Sequence, residues 1–113
     1  MKLTIDFETR SACDIKKHGA WVYSEDSTTE VLCMAAKWEG QTPRILKWPW
    51  MTTMEELQTL IQKATIIEAH NASFEYAIWL NVCMKKYGWP ALPLEKLRCS
   101  AAKAAMHSLP RSL

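Results

Sequence analysis

At 113 residues, with 49% hydrophobic and 23% charged side chains, the chain suits one small domain with a core of its own, spanning residues 1–113. A formal charge of +2 makes no case for a polyanionic partner by itself, and no apolar stretch approaches the ~20 residues of a membrane helix. Cys13, Cys33, Cys83 and Cys99 form no CxxC pair, His18, His70 and His107 lack zinc-ligand spacing to them, and no secretory signal opens the chain, so reduced thiols in the cytoplasm are expected.

Residues 2–7 alternate, with Leu3, Ile5 and Phe7 on one side and Lys2, Thr4 and Asp6 on the other, the period of a strand with one face in a core. Residues 9–29 read as a polar loop containing His18-Gly19 and a Glu25-Asp26-Ser27 turn. Residues 30–38 and 43–48 are rich in strand formers, and Glu39 to Thr42 suits a hairpin connection between them. Met54, Leu57, Leu60 and Ile61 then recur at helical spacing over 53–63, behind Thr52 or Thr53 as N-cap.

Residues 64–69 form a short apolar run suited to a buried strand. Over 73–86 the residues Phe74, Ala77, Ile78, Asn81 and Val82 share one helical stripe, Lys85 and Lys86 favour its C-terminus, and Gly88 stops it. A turn from Trp89-Pro90 to Pro93 leads to an extended segment over 95–99, then to an alanine-rich helix from Ala101 to His107 that Pro110 ends. Strands first, then alternating helix and strand, describes an α/β domain with a mixed sheet.

The chemistry concentrates at Asp6-Phe7-Glu8. Spacing of two on a strand sends both carboxylates to one face and Phe7 to the other. Two acids side by side at the end of an apolar strand repel unless a cation neutralises them. Metal-assisted phosphodiester hydrolysis needs such hard oxygen donors, with two ions ~3.5–4 Å apart, and Mg²⁺ or Mn²⁺ suit them. The plain alternative is a solvated strand end.

Ile5-Asp6-Phe7-Glu8-Thr9 resembles the first motif of the DnaQ-like (DEDD) 3′–5′ exonucleases, and His70-Asn71-Ala72-Ser73-Phe74-Glu75 resembles their second. The likeness runs in particular to the proofreading exonuclease region at the front of phage family A DNA polymerases, where Asp14 to Thr29 and Leu109 to Leu113 are also at home. It covers nearly the whole chain. The resemblance implies a ribonuclease H-like mixed sheet and hydrolysis at single-stranded DNA 3′ ends with a two-metal Mg²⁺ or Mn²⁺ site. In that family's terms Asp6 bridges both metals, Glu8 holds the nucleophile-side metal, and Glu75 reaches the other directly or through water. Thr9 seats the terminal nucleotide, and Asn71 and Phe74 shape the pocket beside it.

Each residue also has a plain role. An acid at Glu75 suits the first turn of any helix, Asn71 or Ser73 suits an N-cap, and Phe74 suits a core. His70 reads as structural. Trp21, Trp38 and Trp48 are expected to pack the strands, and Trp79 to share a side of its helix with Glu75. Lys16-Lys17, Lys85-Lys86 and Lys96/Arg98 are either phosphate contacts or solvated helix ends.

The sequence departs from the family in two places. Glu75 stands where an aspartate is usual, and no Asp or Glu follows Glu95, so the third motif, with its base and fourth carboxylate, is missing. The expectation is a C-terminally incomplete fold, weak or absent activity, and a homodimer or segment-exchanged oligomer covering exposed apolar surface. The alternative is a non-catalytic fragment of a phage DNA polymerase that binds nucleic acid or protein. A ribonuclease H-like resolvase fits the first-strand acids but not residues 70–75.

Overall fold

The computed structural model describes residues 1–46 and 53–100. Strand β1 (Lys2–Arg10) buries Leu3, Ile5 and Phe7 on one face and leaves Asp6 and Glu8 exposed on the other, as the alternation requires. Strand β2 (Glu30–Trp38) pairs antiparallel with it, setting Met34 opposite Phe7 and Ala36 opposite Ile5. A short β3 (Arg44–Leu46) continues the sheet beyond β2; residues 47–48 of the predicted strand lie outside the described residues.

The expected loop over 9–29 is a correction. β1 runs on to Arg10, and α1 (Ile15–Glu25) follows, capped by the Asp14 carboxylate accepting from the Lys16 amide at 3.0 Å. Gly19 interrupts this helix with φ 83°, a conformation most side chains avoid, so no continuous 3.6-residue stripe forms. Within α1 only Tyr23 and Ser24 are buried. Trp21, expected to pack the strands, is 47% exposed.

Helix α2 (Met54–Lys63) begins where the sequence places it, with the Thr53 hydroxyl accepting from the Glu56 amide at 3.1 Å. β4 is Ile66–Ala69, two residues shorter than the apolar run, because buried Ala64 ends α2 and the Thr65 amide bonds to the Met1 carbonyl. α3 (Ala72–Ile78) continues without a break into a π-helical stretch, Trp79–Met84, and a last α-helical turn, α4 (Lys85–Tyr87). Gly88 closes it in the left-handed region, at φ 72°. A 3₁₀ turn (Leu94–Lys96) leads into β5 (Leu97–Cys99). The predicted Ala101–His107 helix lies outside the described residues, as do Trp48 and His107.

The strand order is β3-β2-β1-β4-β5, with β2 antiparallel to β1 and β3, and β4 parallel to β1 and β5. This is an α/β fold with a ribonuclease H-like mixed sheet. One core forms on the Leu3–Ile5–Phe7 side. There Leu57, Leu60 and Ile61 of α2 meet Leu3, Ile5 and Ile67. Trp79 and Trp89 pack edge-on at 5.0 Å, and both lie against Phe7. The indole of Trp79 donates to the Pro90 carbonyl, so this residue belongs to the core. Trp38 is half-buried against the same core.

The π stretch is sandwiched between the sheet and α1. That placement accounts for the burial of Ile78, Trp79, Asn81, Val82 and Cys83 within six residues. The Asn81 amide donates to the Ser24 hydroxyl at 2.9 Å, tying the helix to α1. On the far face of the sheet, among the described residues, Asp6, Glu8, Lys37, Ile45 and Ile66 are exposed.

Candidate functional site

Asp6 and Glu8 stand two apart on the exposed face of β1, opposite Ala35 and Cys33 of β2. Beyond Glu8 the register slips, Glu8 pairing with Cys33 but Thr9 with Val31, so Leu32 is an extra residue in β2. This bulge lies at the acid-bearing end of the strand.

Glu75 comes from the first turn of α3 and is 4% exposed. β4 pairs with β1 only as far as Thr4. Three residues further along, the Phe7 amide donates to Glu75 Oε2 at 3.2 Å, so a carboxylate takes up a backbone donor past the point where β4 leaves. The third acid therefore sits against the peptide between the first two.

Burial pushes the Glu75 carboxyl up to about 8, and the charge of Asp6 adds to the rise. The Phe7 amide opposes the shift, and Glu8 raises it further. None of the ion pairs among the described residues, Lys2–Glu68, Arg10–Glu30 and Arg44–Glu56, involves these acids. No described cation neutralises the Asp6–Glu8 pair.

The donors are all hard oxygens, which fit Mg²⁺ or Mn²⁺ and not a thiolate-seeking ion. Among the described residues, however, no group of three or more His, Cys, Asp or Glu side chains is arranged to hold a metal ion. The fit thus rests on the Asp6–Glu8 pair, and Mg²⁺ sites commonly use one or two carboxylates plus substrate phosphate.

Thr9 lies on the helix side of the strand end, apart from the acids, where its hydroxyl meets the Tyr23 hydroxyl at 2.8 Å. Tyr23 in turn packs on half-buried Phe74, ring centres 6.1 Å apart. Sequence reasoning missed Tyr23, because an aromatic inside an apparent polar loop carries no periodic signal. It also missed Cys99, whose thiol receives the Ala72 amide at 3.5 Å and donates to the His70 carbonyl at 3.4 Å. That thiol fixes the turn presenting Asn71.

Asn71 is exposed at the start of α3 and makes no side-chain capping bond. Its carbonyl accepts from the Phe74 and Glu75 amides. His70 is exposed, with Nδ1 3.3 Å from the Ser100 hydroxyl. Several basic residues have internal partners. Lys86 Nζ donates to the carbonyls of Asp26, Ser27 and Thr29, Lys96 to Ile61, and Arg98 to Glu95 and Leu97. Lys16 and Lys17 remain exposed. No described helix is long and apolar enough to cross a membrane.

No family model matches the chain. It is similar to a DNA polymerase of Bacillus phage SP02, with 31% identity over 113 residues, 98% of this chain. The matched region is 17% of that polymerase, so the chain spans about a sixth of its relative's length.

Proposed function

We propose that the chain is a DnaQ-like, proofreading-type 3′–5′ exonuclease domain that hydrolyses phosphodiester bonds at single-stranded DNA 3′ ends. The observation that carries this reading is the carboxylate arrangement. Asp6 and Glu8 stand open on β1, with Glu75 against the amide between them. The likeness to a phage DNA polymerase supports nucleic acid as the substrate class.

In this reading Asp6 and Glu8 hold Mg²⁺ or Mn²⁺, and Glu75 stands against the peptide between them. When bound, such ions polarise a phosphoryl oxygen and generate a nucleophile from water at neutral pH. The chain's own residues orient the end to be cut. Thr9 is held by the Tyr23 hydroxyl and Phe74 packs on Tyr23, and in the family's terms Thr9, Asn71 and Phe74 would meet the terminal nucleotide. Stacking of an unpaired base on such an aromatic contributes about 1–3 kcal/mol, without reading sequence. The homodimer or segment-exchanged oligomer is tested by light scattering across concentrations.

The test uses 5′-labelled single-stranded DNA with Mn²⁺. A ladder shortening from the 3′ end, abolished by Asp6→Ala and by EDTA, is the expected result. Internal cuts would instead indicate an endonuclease. No cutting by either protein favours a second reading, a non-catalytic module binding nucleic acid or protein. The absence of a three-residue metal-holding group among the described residues is the observation behind that alternative.

A further inference from the structure

We infer that Glu75 is a positioning residue that anchors the Phe7 amide, and through it the two flanking acids, rather than a carboxylate extended to a metal ion. This rests on the reading of Asp6 and Glu8 as the metal-holding pair. Three observations converge on it. Oε2 of Glu75 is engaged by the Phe7 amide at 3.2 Å. The side chain is buried, whereas Asp6 and Glu8 are exposed. And among the described residues Glu75 does not join those two in a group arranged to hold a metal.

The mechanical need is visible in the sheet. β4 supports β1 over Lys2–Thr4 and no further, so the acid-bearing end of β1 is held by β2 alone on its other edge, next to a bulge. A strand end without a second neighbour leaves the directions of its side chains loosely set. One hydrogen bond to the central peptide of Asp6-Phe7-Glu8 restrains both residues at once. Phe7 is fixed from below by Trp79 and Trp89, and the carboxylate of Glu75 fixes it along the sheet edge.

The length of the side chain also matters. An aspartate at this position ends one carbon–carbon bond sooner, about 1.5 Å short of Glu75. A carboxylate there would no longer reach the Phe7 amide. Glutamate is the acid that spans this gap.

Two substitutions separate an acceptor from a metal ligand. Glu75→Gln keeps an acceptor oxygen at the same reach and removes the ionisable carboxyl. Glu75→Asp keeps the carboxyl and shortens the reach. The measurements are hydrogen exchange of the Phe7 amide by NMR and Mn²⁺ affinity by calorimetry, with cleavage of labelled single-stranded DNA as a third readout. An anchoring role predicts that Gln retains Phe7 protection and keeps Mn²⁺ affinity within about threefold of the parent. Asp exposes the amide and weakens Mn²⁺ binding by about tenfold or more, the scale of losing a supporting contact behind a metal ligand.

The inference is overturned if Asp preserves Mn²⁺ affinity while Gln loses it, or if Phe7 exchange is the same in the parent and both variants. Should Glu75→Asp not fold, Glu75→Gln decides alone, since a protected Phe7 amide with lost Mn²⁺ binding identifies a direct ligand. If the parent binds no Mn²⁺ and cuts nothing, the nuclease reading fails. The exchange rates of Phe7 then still report whether Glu75 anchors that amide.

Discussion

The Phe7 amide and the Glu75 carboxylate meet at 3.2 Å across 68 residues of chain. A hydrogen bond at this separation fixes the start of α3 to the middle of the acid-bearing strand. It also places a buried carboxyl beside two exposed ones, and most of the testable behaviour of the site follows from that placement.

The pH dependence of stability is the first consequence. Glu75 is raised in the folded state from an ordinary 4.5 to about 8, so the folded chain retains a proton that the unfolded chain has released. Stability is fully present below about pH 4.5 and falls as pH rises toward 8, levelling off above it. Urea titrations without divalent ions should show this decline, on the order of a few kcal/mol in total. Glu75→Gln should remove the slope.

Asp6 should act on Glu75 at a distance. Its charge is the second cause of the raised carboxyl, after burial. In Asp6→Asn the Glu75 titration, followed by carbon NMR, should move down from about 8 without returning to 4.5. Because Asp6 is exposed, stability should change by only about 0.5 kcal/mol. Metal-dependent cutting of DNA should disappear.

The tryptophans should divide sharply. Trp79 is buried between Phe7 and Trp89, so Trp79→Ala should lose about 3–5 kcal/mol in chemical denaturation. Trp21→Ala, on the exposed side of α1, should stay within about 0.5 kcal/mol.

Thiol reactivity gives an independent check on the π-helical stretch. Cys83 is fully buried within it, and burial, with Glu75 as a lesser cause, pushes its thiol far up. Cys13, Cys33 and Cys99 are half-buried. Ellman's reagent should therefore modify Cys83 last, and at a rate set by unfolding.

The first strand and its acids were legible because a period of two settles which side chains share a face. Thr53 and the α2 stripe were legible for the same kind of reason. α1 was hidden by Gly19, which interrupts its period, and by Trp21 and Val22, apolar residues that the fold leaves exposed. The π-helical run was not readable at all, since Phe74, Ala77, Ile78, Asn81 and Val82 fit an ordinary helical stripe equally well. At the site, Glu75 could be picked out as an acid. Its bond to Phe7 could not, because it depends on where β4 leaves β1.

That early departure of β4 has a bearing on aggregation. A strand edge with open amides is a template for a foreign chain, and proteins commonly block such edges with charge or cover. Beyond Thr4 no strand pairs with β1 on the β4 side, and there the amide of Phe7 is taken by Glu75. An extended segment from another molecule would have to displace a buried carboxylate to add itself there. One glutamate thus occupies the sheet edge beside the two exposed acids.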